Sequence, residues 1–178
     1  MFTCPTAIIE EGVVLGNGTH VWHFSHIMEG AKLGVSCNIG DNVFIGRKVI
    51  IGDNVKIANG AVIPEGVVIK DYVFIGSNVS FKNVKYPRAY RKANEYTPTI
   101  VEENATIDAN ACIMPGITIG RDSTVGAGAV VVHNVPQSSF VVGPSADCIC
   151  NREECPICSK RKQKNILRHK KYAEKNKA

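Results

Sequence analysis

Three histidines near the N-terminus, His20, His23 and His26, are spaced three residues apart and could serve as bases or ligands. The same spacing would align them on one face of a helix, but the residues around them favour strands and turns. In a strand, His20 and His26 each precede an inward-facing position and therefore point outward. His23 falls at a turn, where it can act as a base beside a carboxylate or be an ordinary surface histidine.

A second candidate group lies in residues 82–100, the segment KNVKYPRAYRKANEYTPTI, which is dense in basic and aromatic residues. Its prolines and its lack of periodicity predict a long loop, and long loops on a regular scaffold are usually functional. A guanidinium binds a diphosphate or a carboxylate through two parallel hydrogen bonds. Arg88 and its neighbour Tyr86 are therefore candidate ligand-binding residues, and a tolerated surface insertion is the alternative.

Small residues form a third group at Gly126, Ala127, Gly128 and Ala129. Small side chains allow a ligand to approach the backbone closely, and backbone N–H groups there could hold an oxygen atom. Tight packing between neighbouring strands explains the same run of residues equally well. Arg121, slightly earlier in the chain, could meet phosphate groups.

The C-terminal part of the chain contains four closely spaced cysteines, Cys148, Cys150, Cys155 and Cys158. Four thiols in a reducing compartment can enclose Zn²⁺ tetrahedrally. The alternatives are a structural zinc site and four reduced thiols without a ligand. Cys37 and Cys112, by contrast, are expected to be packing thiols in the interior.

The elements that must position these groups repeat with a period of six. One apolar residue returns at every sixth position from Ile9 to Phe81, and the register resumes from Val101 to Val131. This period fits neither a helix nor a hairpin meander, but it does fit a short strand followed by a tight turn. Such units stack as a solenoid because one unit cannot bury its own apolar face.

Three six-residue sides close one triangular coil of about eighteen residues. We predict an all-β parallel β-helix of about seven coils in residues 1–146, with loop 82–100 projecting from it. Residues 147–178 form a Cys- and Lys-rich tail. Sorting the turn residues by side predicts vertical columns, one of which holds His23, Asp41 and Asn59, while another runs through Glu65 to Asn83.

Charge and composition exclude several classes of protein. The net charge of +5 comes from residues 151–178, which hold ten Lys and Arg against three Asp and Glu, so the solenoid itself is not predicted to bind nucleic acid. No apolar run is long enough to span a membrane, and the N-terminus lacks a signal-peptide pattern. The odd number of cysteines, seven, argues against a disulfide framework. We expect a cytoplasmic protein.

The phrase ATIDANACIMPGITIGRDSTVGAGAVVVHNVPQSSFVVGPSA resembles the C-terminal coils of the left-handed β-helix, or hexapeptide-repeat, acyltransferases. The phrases HVWHFSHI, DNVFIG and VSFKNVKYPRAY are similar to the branch that N-acetylates the 3-amino group of nucleotide-linked sugars. The resemblance covers about residues 7–146. It implies a left-handed winding, a homotrimer, and acetyl-CoA bound along the coils between neighbouring subunits.

The resemblance also implies roles for individual residues. Asn83 would orient the sugar amine for attack on the thioester, without a separate protein base. The nucleotide-linked sugar would contact four residues, His23, Asn59, Tyr86 and Arg88. Acetyl-CoA would contact five, Ala111, Arg121, Gly126, Ala127 and Ala129.

We therefore expect an acetyl-CoA-dependent N-acetyltransferase of surface-polysaccharide biosynthesis, with UDP-2-acetamido-3-amino-2,3-dideoxyglucuronate as the first candidate substrate. Enzymes acting on dTDP-linked 3-amino-3,6-dideoxyhexoses are the nearest alternative. An O-acetyltransferase or serine acetyltransferase-like enzyme would instead require an indispensable histidine, because a hydroxyl must be deprotonated. A non-catalytic scaffold or a carbonic-anhydrase-like metal protein are the remaining alternatives.

Overall fold

The computed structural model describes the backbone of residues 2–90 and 96–151, and the side chains as far as residue 146. Within these residues it is built from short β-strands and turns. No helix among them is long and apolar enough to cross a membrane.

Most strands are only two residues long, and turns separate them at nearly regular intervals. In chain order the strands are β1 Phe2–Thr3, β2 Ile8–Ile9, β3 Val14–Leu15, β4 His20–Val21, β5 His26–Ile27, β6 Lys32–Leu33, β7 Asn38–Ile39, β8 Phe44–Ile45, β9 Ile50–Ile51, β10 Lys56–Ile57, β11 Val62–Ile63, β12 Val67–Ile69, β13 Phe74–Ile75, β14 Ser80–Phe81, β15 Thr99–Val101, β16 Thr106–Ile107, β17 Cys112–Ile113, β18 Thr118–Ile119, β19 Thr124–Val125, β20 Val130–Val131, β21 Ser139–Val142 and β22 Asp147–Asn151.

Every third strand belongs to the same sheet, so the chain winds as a parallel β-solenoid with three faces. The A face has nine strands and begins at β1, the B face has seven and begins at β2, and the C face has six and begins at β3. Ile39 pairs with Val21 on one side and with Ile57 on the other, so one coil contains eighteen residues. The predicted period and the all-β parallel solenoid are confirmed, and the solenoid has about eight turns where about seven coils were predicted.

The interior is a column of apolar side chains that point inward from each strand. Ile39, Ile57 and Ile75 are at most 1% exposed, and the smaller Val55 and Ala61 beside them are fully buried. Because three sides meet in a narrow space, each side of a coil contributes one large inward residue from its strand and one small inward residue just before the strand. Burial of these side chains is the main stabilising contribution to the fold.

Of the two cysteines predicted to be packing thiols in the interior, only Cys37 lies there. Cys37 does lie in the column of small inward residues and is 1% exposed, and burial raises the pKa of its thiol. Cys112 is instead the outward residue of β17 and is only half-buried. The prediction for Cys112 was wrong because the small inward position of that side is Ala111, one residue earlier.

Turns connect the faces at three corners, which stack along the solenoid axis. We name each corner by the two faces that it joins. His23, Asp41 and Asn59 lie on successive coils of the A/B corner, in the order predicted, and Glu65 and Asn83 lie on successive coils of the B/C corner. Backbone hydrogen bonds join successive turns, such as Gly60 N–H to Asp41 O at 2.9 Å. The second residue of most turns has a positive φ, which explains why Asn and Gly are common there.

Polar side chains at the C/A corner tie each coil to the next. The Asp53 Oδ1 accepts the Val35 N–H at 2.8 Å, and the Asp71 Oδ1 accepts the Asp53 N–H at 2.8 Å. Gly34 and Gly52 make room for these carboxylates, since an added Cβ would lie 2.1 Å from the respective Oδ1. The glycine that follows an inward residue is therefore required by the coil above it.

The predicted loop leaves the solenoid after β14, at the B/C corner, and re-enters it at β15. Phe81 still pairs with Ile113 on the next coil, so the insertion does not interrupt stacking. The returning chain packs on the same corner, where the Thr99 N–H donates to Gly66 O at 3.0 Å. Tyr96 lies against Gly66, where an added Cβ would come 2.9 Å from the Tyr96 Cβ.

The first residues of the predicted tail also belong to the solenoid. Strand β22 pairs antiparallel with β21, with Val142 opposite Asp147, in contrast to the parallel pairing between coils. The chain thus reverses direction at the last coil and adds one more strand to the A face. Residues 152–178 lie outside the described residues.

The corner geometry predicts unequal effects of alanine at two glycines. Gly52→Ala should destabilise the fold by about 3 kcal/mol, because the new Cβ would meet the Asp71 N and Lys70 C atoms at 2.8 and 2.9 Å. Gly12→Ala should lose only about 1 kcal/mol, from its positive φ, since its surroundings are open. Urea denaturation of both variants measures the difference, and equal losses would contradict the role assigned to Gly52.

Candidate functional site

The A/B corner carries a continuous column of polar side chains. The Asp41 Oδ1 accepts the His23 backbone N–H at 2.9 Å, and the Asn59 Oδ1 accepts the Asp41 N–H at 3.0 Å. The Asn59 Nδ2 reaches the other Asp41 oxygen at 3.5 Å. The predicted neighbourhood of these three residues is therefore present, and all three lie where a ligand can contact them.

The predicted pairing of the His23 imidazole with a carboxylate is not formed. Asp41 binds the backbone of His23, and the His23 Nδ1 lies 2.9 Å from the Thr6 Oγ1 instead. Thr6 belongs to the preceding turn of the same corner. This arrangement fixes the ring, and no described carboxylate contacts the imidazole. The role of His23 as a base stays a prediction.

A histidine–carboxylate pair does exist, at residues whose pairing the sequence did not reveal. The His26 Nε2 lies 2.7 Å from the Glu10 Oε1 on the B face, and the Glu10 Oε2 accepts the Glu29 N–H at 2.9 Å. These hydrogen bonds, first to the Glu29 backbone and then to His26, lower the pKa of Glu10. The His26 ring also meets Phe44 edge to face, with 5.8 Å between ring centroids.

Asn83 lies two residues after the end of β14, where the chain enters the loop, and is half-buried. Its Nδ2 donates to Glu65 O on the preceding coil at 3.2 Å. That bond fixes the orientation of the side-chain amide, and no described residue donates to its Oδ1. The Asn83 φ is not positive, so left-handed turn geometry does not account for an asparagine there.

The two loop residues predicted to bind the substrate, Tyr86 and Arg88, are exposed at the surface. The Arg88 Nη1 donates to the adjacent Pro87 O at 3.0 Å, and the Lys85 Nζ lies 5.6 Å from the Tyr86 ring centroid. No described contact joins either residue to Asn83. Both guanidinium and phenol remain accessible to a ligand.

The residues predicted to bind acetyl-CoA are distributed over two corners and the interior. Ala127 is exposed at the A/B corner, whereas Ala111 and Ala129 are fully buried. Any contact of those two alanines with a ligand is therefore limited to the backbone. Arg121 lies at the C/A corner, where its Nη2 forms an ion pair with Glu103 Oε2 at 2.8 Å.

The predicted site residues thus occupy all three corners of one chain. Asn83 and the loop are at the B/C corner, His23, Asn59, Gly126 and Ala127 at or beside the A/B corner, and Arg121 at the C/A corner. A single ligand cannot touch all of these corners on one solenoid, because the packed interior separates them.

One further residue of the A/B corner stands out, although it is not among the predicted site residues. Phe24 has a φ of 57° and is 66% exposed. A left-handed conformation costs a bulky residue about 1–2 kcal/mol, and here little burial offsets that strain. The signal that could have found it is the turn register, which places a phenylalanine where the following coils have asparagine or glycine.

The zinc prediction cannot be placed on the structure. Cys155 and Cys158 lie outside the described residues, and for Cys148 and Cys150 only the backbone of β22 is described. In the part of the chain that the structure describes, no three His, Cys, Asp or Glu side chains are grouped to hold a metal ion. The zinc site stays a prediction.

Comparison with known proteins identifies the repeat and a close relative. The family model "Bacterial transferase hexapeptide (six repeats)" matches residues 36–70, 48–83 and 98–133. The chain is 46% identical over 145 residues to dTDP-3-amino-3,6-dideoxy-alpha-D-galactopyranose 3-N-acetyltransferase of Aneurinibacillus thermoaerophilus. That match covers 82% of this chain and 75% of the relative.

Two other comparisons extend the likeness to further acetyltransferases. The serine acetyltransferase of Bacillus licheniformis is 41% identical over 70 residues, 39% of this chain and 32% of the relative. A hexapeptide-repeat acetyltransferase from Vibrio cholerae O1 biovar eltor, complexed with acetyl coenzyme A, is 28% identical with a TM-score of 0.54, covering 79% of this chain and 70% of that one. The chain spans only about a quarter to two fifths of several curated relatives that it matches.

The lowered pKa of Glu10 predicts a pH-dependent contribution to stability. Because the folded state favours the ionised carboxylate, Glu10 adds to the free energy of unfolding above its unfolded-state pKa of about 4.3. This stabilisation is lost as the pH falls through the lower pKa that Glu10 has in the folded state. Glu10→Gln should therefore melt below the wild type at pH 7, and the gap in melting temperature should narrow as the pH is lowered to 3. Circular dichroism melting curves measure both temperatures.

Glu11→Gln is the matched control, because the described residues offer Glu11 no hydrogen-bond or ion-pair partner. Its melting temperature should follow the wild type at both pH values. A Glu10→Gln deficit that persists unchanged at pH 3 would show that the loss comes from packing rather than from charge.

Proposed function

Because this chain belongs to the hexapeptide-repeat acetyltransferases, we propose that it transfers the acetyl group of acetyl-CoA to the amino group of a nucleotide-linked sugar. The observation that carries this proposal is the 46% identity over 145 residues with an enzyme named for that reaction. In a chain of 178 residues, a match of that length must include the loop and Asn83. The shared part therefore spans Asn83 and the loop as well as most of the repeat.

The reaction needs alignment more than an activated protein nucleophile. The sugar nitrogen attacks the thioester carbon, a C–N bond forms, the C–S bond breaks, and the departing thiolate can take the amine proton. Positioning and a stabilised oxyanion are then the main requirements. Asn83 is suited to position the amine, because its Nδ2 is held by Glu65 O and its Oδ1 can accept a hydrogen bond from the amine.

The oxyanion is assigned to the backbone N–H of Ala127, which is exposed at its corner. Gly126 beside it is buried, and its own N–H already donates to Val141 O at 2.9 Å. Arg121 would meet a phosphate of CoA only after exchanging its Glu103 partner. Its exposed position makes that exchange inexpensive, since surface ion pairs contribute little.

Two nucleotide-linked sugars fit the site from different observations. Arg88 carries an exposed guanidinium that could bind the carboxylate of UDP-2-acetamido-3-amino-2,3-dideoxyglucuronate through two hydrogen bonds. The relative from Aneurinibacillus, by its name, acts on a dTDP-linked 3-amino-3,6-dideoxygalactose, which has no carboxylate. We propose the uronate as substrate, with the dTDP-linked hexose as the second candidate.

An acetylation assay across UDP- and dTDP-linked 3-amino sugars tests this proposal, with release of CoA as the readout. Turnover of any of them supports the N-acetyltransferase activity, and the ranking decides between the two sugars. Turnover of serine or of a sugar hydroxyl without turnover of the amines would overturn the proposal.

Asn83→Ala should lower kcat by about thirty- to a thousand-fold, because one oriented hydrogen bond in a closed site is lost. Binding of acetyl-CoA, measured by calorimetry, should change far less, since the lost contact acts on the attacking amine. His23→Ala should act on the KM of the nucleotide-linked sugar. Inactivity of the histidine variant together with a nearly neutral Asn83→Ala would point to general-base catalysis.

We further propose that the protein works as a homotrimer, with sites between neighbouring solenoids. The distribution of the candidate residues over three corners supports this, as does the exposure of apolar residues such as Ile8 and Val62 on the B face and Val14 and Ile50 on the C face.

Multi-angle light scattering at micromolar concentration should therefore give three times the mass of one chain. Charged substitutions at Ile50 and Val62 should dissociate the assembly and abolish turnover together. A monomer with full activity would contradict the shared site.

A further inference from the structure

Phe24 is exposed and shares the positive φ of the equivalent residues along the A/B corner, but as a phenylalanine it is strained in that conformation. The equivalent positions on later coils are residues that tolerate positive φ or stabilise it locally, and these are Asn42, Gly60, Asn78, Asn110 and Gly128. Phenylalanine has no polar group with which to do so. A strained residue that is not buried is a common sign of a functional position.

The surroundings of Phe24 present flat rings at a fixed place. The His23 ring lies 5.9 Å from the Phe24 ring, tilted by 41°. His23 is itself held on both sides, by Thr6 through its Nδ1 and by Asp41 through its backbone N–H. The two adjacent aromatic rings are therefore positioned before any ligand arrives.

Charge at this corner favours a neutral planar ligand over a phosphate. The Asp41 carboxylate lies on the next coil of the same column, directly beside His23, and would repel an anion. Lysine and arginine are instead concentrated in the loop, at Lys82, Lys85 and Arg88. The phosphates of a nucleotide-linked sugar are thus attracted toward the loop, while its uncharged base suits the aromatic corner.

The distance between His23 and Asn83 along the solenoid axis fits the same assignment. Asn83 lies on the same coil as Ser77, and Ser77 is three coils beyond His23 on the A/B corner. At one strand spacing per coil this is an offset of about 14 Å along the solenoid. A nucleotide-linked sugar carries its base and its amino group at opposite ends, with the phosphates between them.

We propose that Phe24 and His23 form the stacking platform for the nucleobase of the sugar nucleotide. This inference rests on the proposed function, because it assigns one end of the same substrate. Bases stack well on aromatic side chains whatever their hydrogen-bonding edge. The platform therefore contributes affinity for the nucleotide and is a separate element from the residues that orient the amine.

Phe24→Asn is the informative variant because it removes the ring and keeps a residue that tolerates positive φ. Calorimetric titration of the full chain with UDP and with dTDP should show about a ten-fold increase in Kd for the preferred nucleotide. The KM for the nucleotide-linked sugar should rise by a similar factor with kcat unchanged. The melting temperature should rise, since the backbone strain is relieved, whereas a merely structural phenylalanine would leave the variant less stable.

Tyr72→Asn is the matched control. Tyr72 also has a positive φ, 58°, and an exposed ring, but it lies at the C/A corner, away from His23. Its replacement should raise the melting temperature and leave nucleotide binding unchanged. Phe24→Tyr should keep nucleotide affinity, because the ring is retained.

The outcomes separate this inference from the proposed function. Loss of UDP or dTDP affinity in Phe24→Asn supports the platform, even if no amino sugar is acetylated. Unchanged affinity and KM in Phe24→Asn overturn the platform, even if acetylation is efficient. An equal loss of affinity in Tyr72→Asn would overturn it as well, because the effect would not belong to the A/B corner.

Discussion

The hydrogen bonds between successive coils are the constraint on which the rest of this structure depends. Most strands and turns are bonded to the equivalent residue eighteen positions away, as in Ile39 with Ile57 and in the turn of Asp41 with that of Gly60. Bonding of this kind requires every coil to have the same perimeter. An extra residue in one strand would place its inward side chain on the surface.

That requirement explains where functional side chains can lie. Inward positions must be apolar and of fixed size, and the outward strand residues are limited to one per side. Corners are the places where side chains can vary without changing the perimeter, and they carry Asn83, the His23–Asp41–Asn59 column and the Arg121–Glu103 pair. The long loop also leaves from a corner, and the stacking of β14 on β17 continues beneath it.

Much of this architecture could be predicted from the sequence because the period of six determines which residues point inward. Once the period was known, the faces and the order of residues along each corner followed, including the neighbourhood of His23, Asp41 and Asn59. The same register placed Cys37 correctly. It failed for Cys112 only because the register was misapplied by one residue.

The pairing of side chains was less predictable because it depends on rotamers and not on register. Asp41 binds the backbone of His23 rather than its imidazole, while Glu10 and His26 meet across neighbouring coils on the B face. The path of the loop could not be predicted either, since it follows no repeat. The CoA residues Ala111 and Ala129 were expected from family resemblance, which does not show that their side chains face the interior.

Because the coils are equally spaced, distances along the solenoid axis change in equal steps. Any two groups on the same corner are separated along the axis by a whole number of strand spacings, about 4.8 Å each, and intermediate distances are not available to the backbone there. Insertion or deletion of eighteen residues between two such groups would change their axial separation by one strand spacing, and every hydrogen bond between coils could form again. A protein of this kind can thus adjust to a longer or shorter ligand in discrete steps, without redesigning either end of the binding site.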